Sequence, residues 1–163
     1  MISFEKEKGI DQKDLLYRFS QYRKNISSFN IPLCIFKQDR LSSLEIIVKY
    51  LRENQGLKFK DIASLLSRKE IPISTTYRNS LRKYQERLDI TSNEFIPIRI
   101  FKESLRGNST KKLSILETIV LYLKKDLDLR ICDICSLLNK DHSTIWTTHK
   151  RAIDKLKEKN DGR

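Results

Sequence analysis

Apolar positions recur at helical spacing in two separated stretches of the chain. Leu44, Ile47, Val48 and Leu51 lie three and four residues apart, and so do Leu116, Ile119, Val120 and Leu123, so that each set makes one apolar stripe on a helix. Ser42 and Ser114 stand just ahead of these stripes, with Glu45 and Glu117 three residues later, the spacing of a capping box. A short helix is predicted next, "FKDIASLLS" after Leu57 and "ICDICSLLN" after Leu129. A polar break follows, and then a longer helix over about 70–84 and about 142–158. Its inward positions are Ile73 and Leu81 in the first stretch and Ile145, Ala152, Ile153 and Leu156 in the second.

The two stretches are the same pattern read twice. Residues 41–84 lie over 113–156 at a constant offset of 72 without a gap, and 18 of the 44 positions are identical. Upstream, "IPLCIFK" (31–37) matches "IPIRIFK" (96–102) at five of seven positions. Two copies are too few for a solenoid and fit two related domains in tandem. A short helix, a tight turn and a longer helix behind a supporting helix is the helix-turn-helix layout, with the small residues Ala63 and Cys135 where the two helices cross. The expected fold is therefore all-α: two tandem helix-turn-helix domains of three or four helices each, produced by internal duplication. The expected organisation is an N-terminal helical extension (1–30), a first domain (31–84), a linker (85–95) and a second domain (96–163). Within the extension, Leu15, Leu16, Phe19 and Tyr22 share one side of an amphipathic helix over 11–25, suited to capping the first domain or to a dimer face.

Composition agrees with helices: only four glycines and three prolines occur in 163 residues, too few for a chain built of hairpins. No apolar run approaches the roughly 20 residues of a membrane span, and the start "MISFEKEKGIDQKD" lacks the apolar core of a signal peptide. Three cysteines without framework spacing suit a reducing compartment. A cytoplasmic protein is expected, nucleoid-associated in a prokaryote or nuclear in a eukaryote. The net charge of +12 asks for a polyanionic partner. That charge sits in the two repeated blocks, since 31–84 and 96–163 each carry a net of +6 while 85–95 carries −2.

The longer helices present Ser, Thr, Asn, Arg, His and Trp where a solvated face would carry Glu and Lys. Such side chains bond base edges, phosphates and sugars. In the second copy Asp141 is placed to cap the helix, so that His142, Ser143 and Thr144 form its first turn with N–H groups open to a phosphate. Trp146, Thr147, His149 and Lys150 then line the outward face, with Arg151 beside them. In the first copy the equivalent contacts are Ser74, Thr75, Tyr77, Arg78, Asn79 and Arg82, and Arg78 and Asn79 suit bidentate pairing with guanine or adenine. Lys69 and Pro72 stand where the second copy has Asp141 and Thr144, so the first copy lacks the cap.

Other chemistries have less to build on. His142 and His149 are seven residues apart, roughly 10 Å along a helix, too far to share a zinc ion. Cys132 and Cys135 form one CxxC with no second ligand pair, and Asp126, Asp128 and Asp133 scatter around their helices. No glycine-rich phosphate loop, HExxH or paired nucleophile and base is present, so neither an enzyme nor a cofactor or metal is expected. "KESLRGNSTKK" (102–112) lengthens the second copy, and its Arg106, Lys111 and Lys112 suit either a phosphate clamp or an ordinary loop.

"LRICDICSLLNKDHSTIWTTHKRAIDKL" resembles the helix-turn-helix domains of region 4 of bacterial sigma factors and of NarL/LuxR-type regulators, through an "hxxhAxxL" helix, a short turn and a helix with a hydrophobic fourth residue, here Ile145 and Ile73. "KDHSTIWTTHKRA" is also similar to the "DH(S/T)T" entry to the DNA-reading helix of the replication initiator DnaA. The resemblance covers about 41–84 and 113–156 and implies binding to double-stranded DNA by the longer helices, in the service of transcription regulation. Two such lobes could occupy major-groove segments about one helical turn, roughly 34 Å, apart. The alternative is a sigma-like or adaptor module whose helices contact RNA polymerase or another protein.

Overall fold

A computed structural model describes residues 29–91, 94–103 and 112–157. The amphipathic segment 11–25, together with Arg106 and Lys111, lies outside the described residues. Strand β1 (Asn30–Pro32) leads into a 3-10 turn (Leu33–Lys37) and then helices α1 (Ser43–Glu53), α2 (Phe59–Leu65) and α3 (Glu70–Lys83). Strand β2 (Phe95–Pro97) opens the second half, followed by the single-turn α4 (Ile100–Glu103), α5 (Ile115–Lys125), α6 (Ile131–Leu138) and α7 (His142–Lys157).

The chain is mostly helical, compatible with the all-α expectation. The strands were absent from that expectation. They are three residues long and each ends in proline, too short to leave an alternating pattern. They pair with each other antiparallel, Asn30 opposite Pro97, Ile31 opposite Ile96 and Pro32 opposite Phe95. The segment read as a linker is partly built into the interior: Leu88 is buried, its carbonyl accepts from the Asn54 amide, and the Glu94 carbonyl accepts from Leu33 N–H at 2.8 Å.

Local signals produce matching structure in both halves. Ser42 and Ser114 each close a capping box with the glutamate three residues on. That glutamate is buried and also takes the ammonium of a lysine from the long helix, Lys83 on Glu45 at 2.7 Å and Lys155 on Glu117 at 2.7 Å. One carboxylate thus ties the start of the supporting helix to the end of the long one. Gly56 and Asp128 hold a positive φ in the turn after α1 and α5, and Ser67 and Asn139 do so in the turn before α3 and α7. The latter turns close with the same bond, Arg68 N–H to Ala63 C=O and Lys140 N–H to Cys135 C=O.

Ile47, Val48 and Leu51, and likewise Ile119, Val120 and Leu123, are fully buried as the periodicity predicts, and Ile73 and Ile145 anchor the long helices beneath them. Leu81, Ile153 and Leu156 are only half-buried, and the second inward position of α3 is Ser80, the counterpart of Ala152. Buried residues of the two halves form one contiguous core. Besides the strand pair, further packing joins them. The 3-10 turn Leu33–Lys37 packs on α6, where Lys140 pairs with Asp39 at 3.0 Å, and α1 packs on α5.

Candidate nucleic-acid interface

Helix α7 begins at a formed cap. Asp141 accepts the Thr144 N–H at 2.8 Å and the Thr144 hydroxyl at 2.7 Å. The hydroxyl and N–H of Thr144 hold the Asp141 carboxyl below the usual carboxylate range. Thr144 was expected to leave its N–H open to a phosphate. Its donors are instead committed to Asp141, whose negative charge also occupies part of the helix's positive end. His142 and Ser143 are exposed around that first turn.

One turn on, Trp146 is 49% exposed while Ile145 beside it is fully buried. The Lys150 ammonium lies 5.3 Å from the Trp146 ring centroid. An exposed cation–π pair contributes about 0.5–1 kcal/mol and fixes the direction of the lysine more than the stability of the fold. Arg151 is exposed next to it, whereas Thr147 and His149 are half-buried at the edge of the face.

Helix α3 starts without a side-chain cap at Lys69, as expected from the substitution, and its first turn exposes Glu70, Ile71 and Pro72. Ile71 is 78% exposed, a large apolar side chain standing in solvent. Ser74 and Thr75 both donate their hydroxyls to the Ile71 carbonyl, at 2.9 and 3.1 Å, and Thr76 donates to Pro72 C=O at 2.8 Å. A hydroxyl bonded back in this way keeps lone pairs for a base amino group, but must give up its internal bond to donate to a phosphate. Arg78, Asn79 and Arg82 are exposed along the following turns.

Tyr77 departs from the sequence reading, which placed it on the outward face. It is half-buried, its ring packs on Phe59 with centroids 5.5 Å apart, and its phenol donates to Glu53 at 3.2 Å. Burial, followed by the Glu53 charge and hydrogen bond, raises its pKa. Residue 77 lies four positions from Ile73 on the helix, so it shares the inward side, and Phe59 of α2 supplies the aromatic partner. The sequence reading noted Lys69 only as a missing cap and did not count it or Arg68 among the contacts; both are exposed in the turn before α3. Their signal was a basic pair at a helix start, where charge adds to the backbone dipole in favour of an anion.

Cys132 is exposed and Cys135 half-buried against the core, where burial pushes its thiol up. Among the described residues no group of three or more His, Cys, Asp or Glu converges. No described helix is long and apolar enough to cross a membrane.

In comparison with known proteins, the chain matches no family model, no curated protein and no solved structure.

Proposed function

We propose that the chain is a sequence-specific double-stranded DNA-binding protein, a transcription regulator in which two helix-turn-helix domains arose by duplication and α3 and α7 read the major groove. The observation that carries this reading is the pair of long helices, each fixed from beneath by one isoleucine and each exposing a cationic, hydrogen-bonding face. That face is Arg78, Asn79 and Arg82 on α3 and Lys150 and Arg151 beside Trp146 on α7. Arginine and asparagine offer bidentate pairing to guanine and adenine, each pair worth about 1–3 kcal/mol of discrimination. The indole of Trp146 and the side chain of Ile71 offer apolar contact to a thymine methyl. The excess of +12 supplies the phosphate attraction that brings the helices to the groove.

Replacing Arg78, Lys150 and Arg151 with alanine tests this. All three are exposed, so the thermal midpoint is expected to stay within a few degrees. Affinity for a duplex selected from a random pool should fall by roughly two orders of magnitude, with a shallower dependence on salt. Unchanged affinity and salt slope would instead favour a surface that docks on a protein such as RNA polymerase.

A further inference from the structure

We propose that the DNA site is an inverted repeat with two unequal arms, an inference that rests on the DNA-reading proposal above. The relation between the halves is set by the strand pair. Ile31 and Ile96 are the same position of the repeated IPxxIFK element, and they face each other in an antiparallel ladder flanked by Asn30–Pro97 and Pro32–Phe95. Exchanging each residue for its counterpart 65 positions away returns the same three pairs. Units related by a simple step along the chain would place equivalent strands parallel. Antiparallel pairing of equivalent residues instead makes a local two-fold axis through the Ile31–Ile96 pair.

The same relation holds further out. Helix α1 packs on α5, its own counterpart. The turn at 33–37 lies against α6 of the second half, and Phe101 of α4 lines a cleft of about 220 Å³ with Leu66 and Ile73 of the first half. The first IPxxIFK element thus packs on the opposite half, and the second, whose helix α4 rests on α5 of its own half, faces the opposite half across that cleft. Within the halves, the Lys83–Glu45 and Lys155–Glu117 pairs and the buried Ile73 and Ile145 hold the two long helices at the same station. Helices α3 and α7 are therefore related by the two-fold, and a duplex that engages both must present its half-sites in opposite orientation. The arms differ because equivalent stations carry different groups: Arg78 against Lys150, Asn79 against Arg151, and Arg82 against Asp154.

Selection of bound duplexes by the full chain from a random pool is expected to enrich two dissimilar arms facing each other. Reversing one arm in the selected duplex, with length and composition kept, should weaken binding about tenfold or more. Arg78→Ala should relax the base preference of one arm and leave the other unchanged. A direct repeat, a lone arm, or indifference to reversal would overturn the inverted arrangement while leaving DNA reading in place. A pool that yields no enriched sequence would overturn the DNA reading itself, and the inverted site with it.

Discussion

Helices α3 and α7 occupy the same place in their halves but are entered and supported differently. Asp141 caps α7 through the Thr144 N–H, whereas α3 begins at Lys69 with no side-chain cap and has Pro72 in Thr144's position. Beneath α3 lies a buried polar group, Lys49 paired with Glu53 at 2.7 Å and Tyr77 bonded to the same carboxylate oxygen. In the second half the same positions are Leu121, the exposed Lys125 and His149, which form no such polar group. What recurs is the glutamate that joins a capping box to the end of the long helix, together with the positive-φ turns and the buried isoleucine. The lesson is that one scaffold tolerates two kinds of interior and two kinds of helix entry so long as the tie between supporting and long helix is kept.

The largest expected effect follows from the buried pair peculiar to the first half. The Lys49 side chain is fully buried and the Glu53 side chain is 13% exposed, with one carboxylate oxygen lacking a partner among the described residues. Lys49→Leu installs the residue that the second half already uses, yet it leaves the Glu53 carboxylate with the Tyr77 phenol alone. Loss of one partner from a buried pair costs about 3 kcal/mol. Lys49→Leu combined with Glu53→Gln removes the stranded charge and should recover at least half of that loss in urea unfolding. If the single variant is as stable as the parent, the polar interior of the first half is not held by this pair.

The shared tie makes a smaller and pH-dependent contribution. Burial raises the Glu45 and Glu117 carboxyls, but the lysine, the serine N–H and the serine hydroxyl together outweigh it, and both end below the usual carboxylate range. A folded pKa below the unfolded one gives stability that is present above the unfolded value and is lost as pH falls through the folded one. Unfolding free energy should therefore decline as pH falls below the ordinary carboxylate range, about 4.3 for glutamate. Glu117→Gln is expected to cost about 2 kcal/mol at pH 7 and to flatten that decline, and Glu45→Gln should do the same in the first half. Equal slopes in parent and variant would show that these carboxylates do not carry the acid sensitivity.

Much of this was legible because it is local. The capping boxes, the helix lengths and the buried isoleucines follow from spacing within one element, and the offset of 72 placed the second set once the first was read. The β1–β2 pair and the packing of the 33–37 turn on α6 were not legible. They depend on contacts more than 60 residues apart along the chain, and three-residue strands leave no period of their own. Within the candidate interface, the exposure of Arg78, Asn79, Trp146 and Lys150 follows helical phase. Tyr77 escaped because its partners Phe59 and Glu53 come from other helices, and Thr144 because its hydroxyl is short enough to be taken by the cap beside it.

The smallest effect probes why the first half lacks a cap at all. An N-cap oxygen stabilises a helix chiefly by accepting the N–H of the third helical residue, and in α7 that donor is Thr144. The corresponding residue of α3 is Pro72, which has no N–H, so a cap at position 69 would meet no donor there. Lys69→Asn, which adds the cap oxygen without a charge, should therefore change stability by less than about 0.5 kcal/mol. Restoring the donor with Pro72→Thr should cost a few tenths alone, about 0.4 kcal/mol, through the lost rigidity of proline. Together the two substitutions should gain about 1 kcal/mol over the sum of their separate effects. Additivity in this cycle would mean that the cap is missing for another reason, such as the phosphate attraction of a lysine at the start of the proposed DNA-reading helix, in which case Lys69→Asn would weaken binding to a selected duplex while leaving stability unmoved.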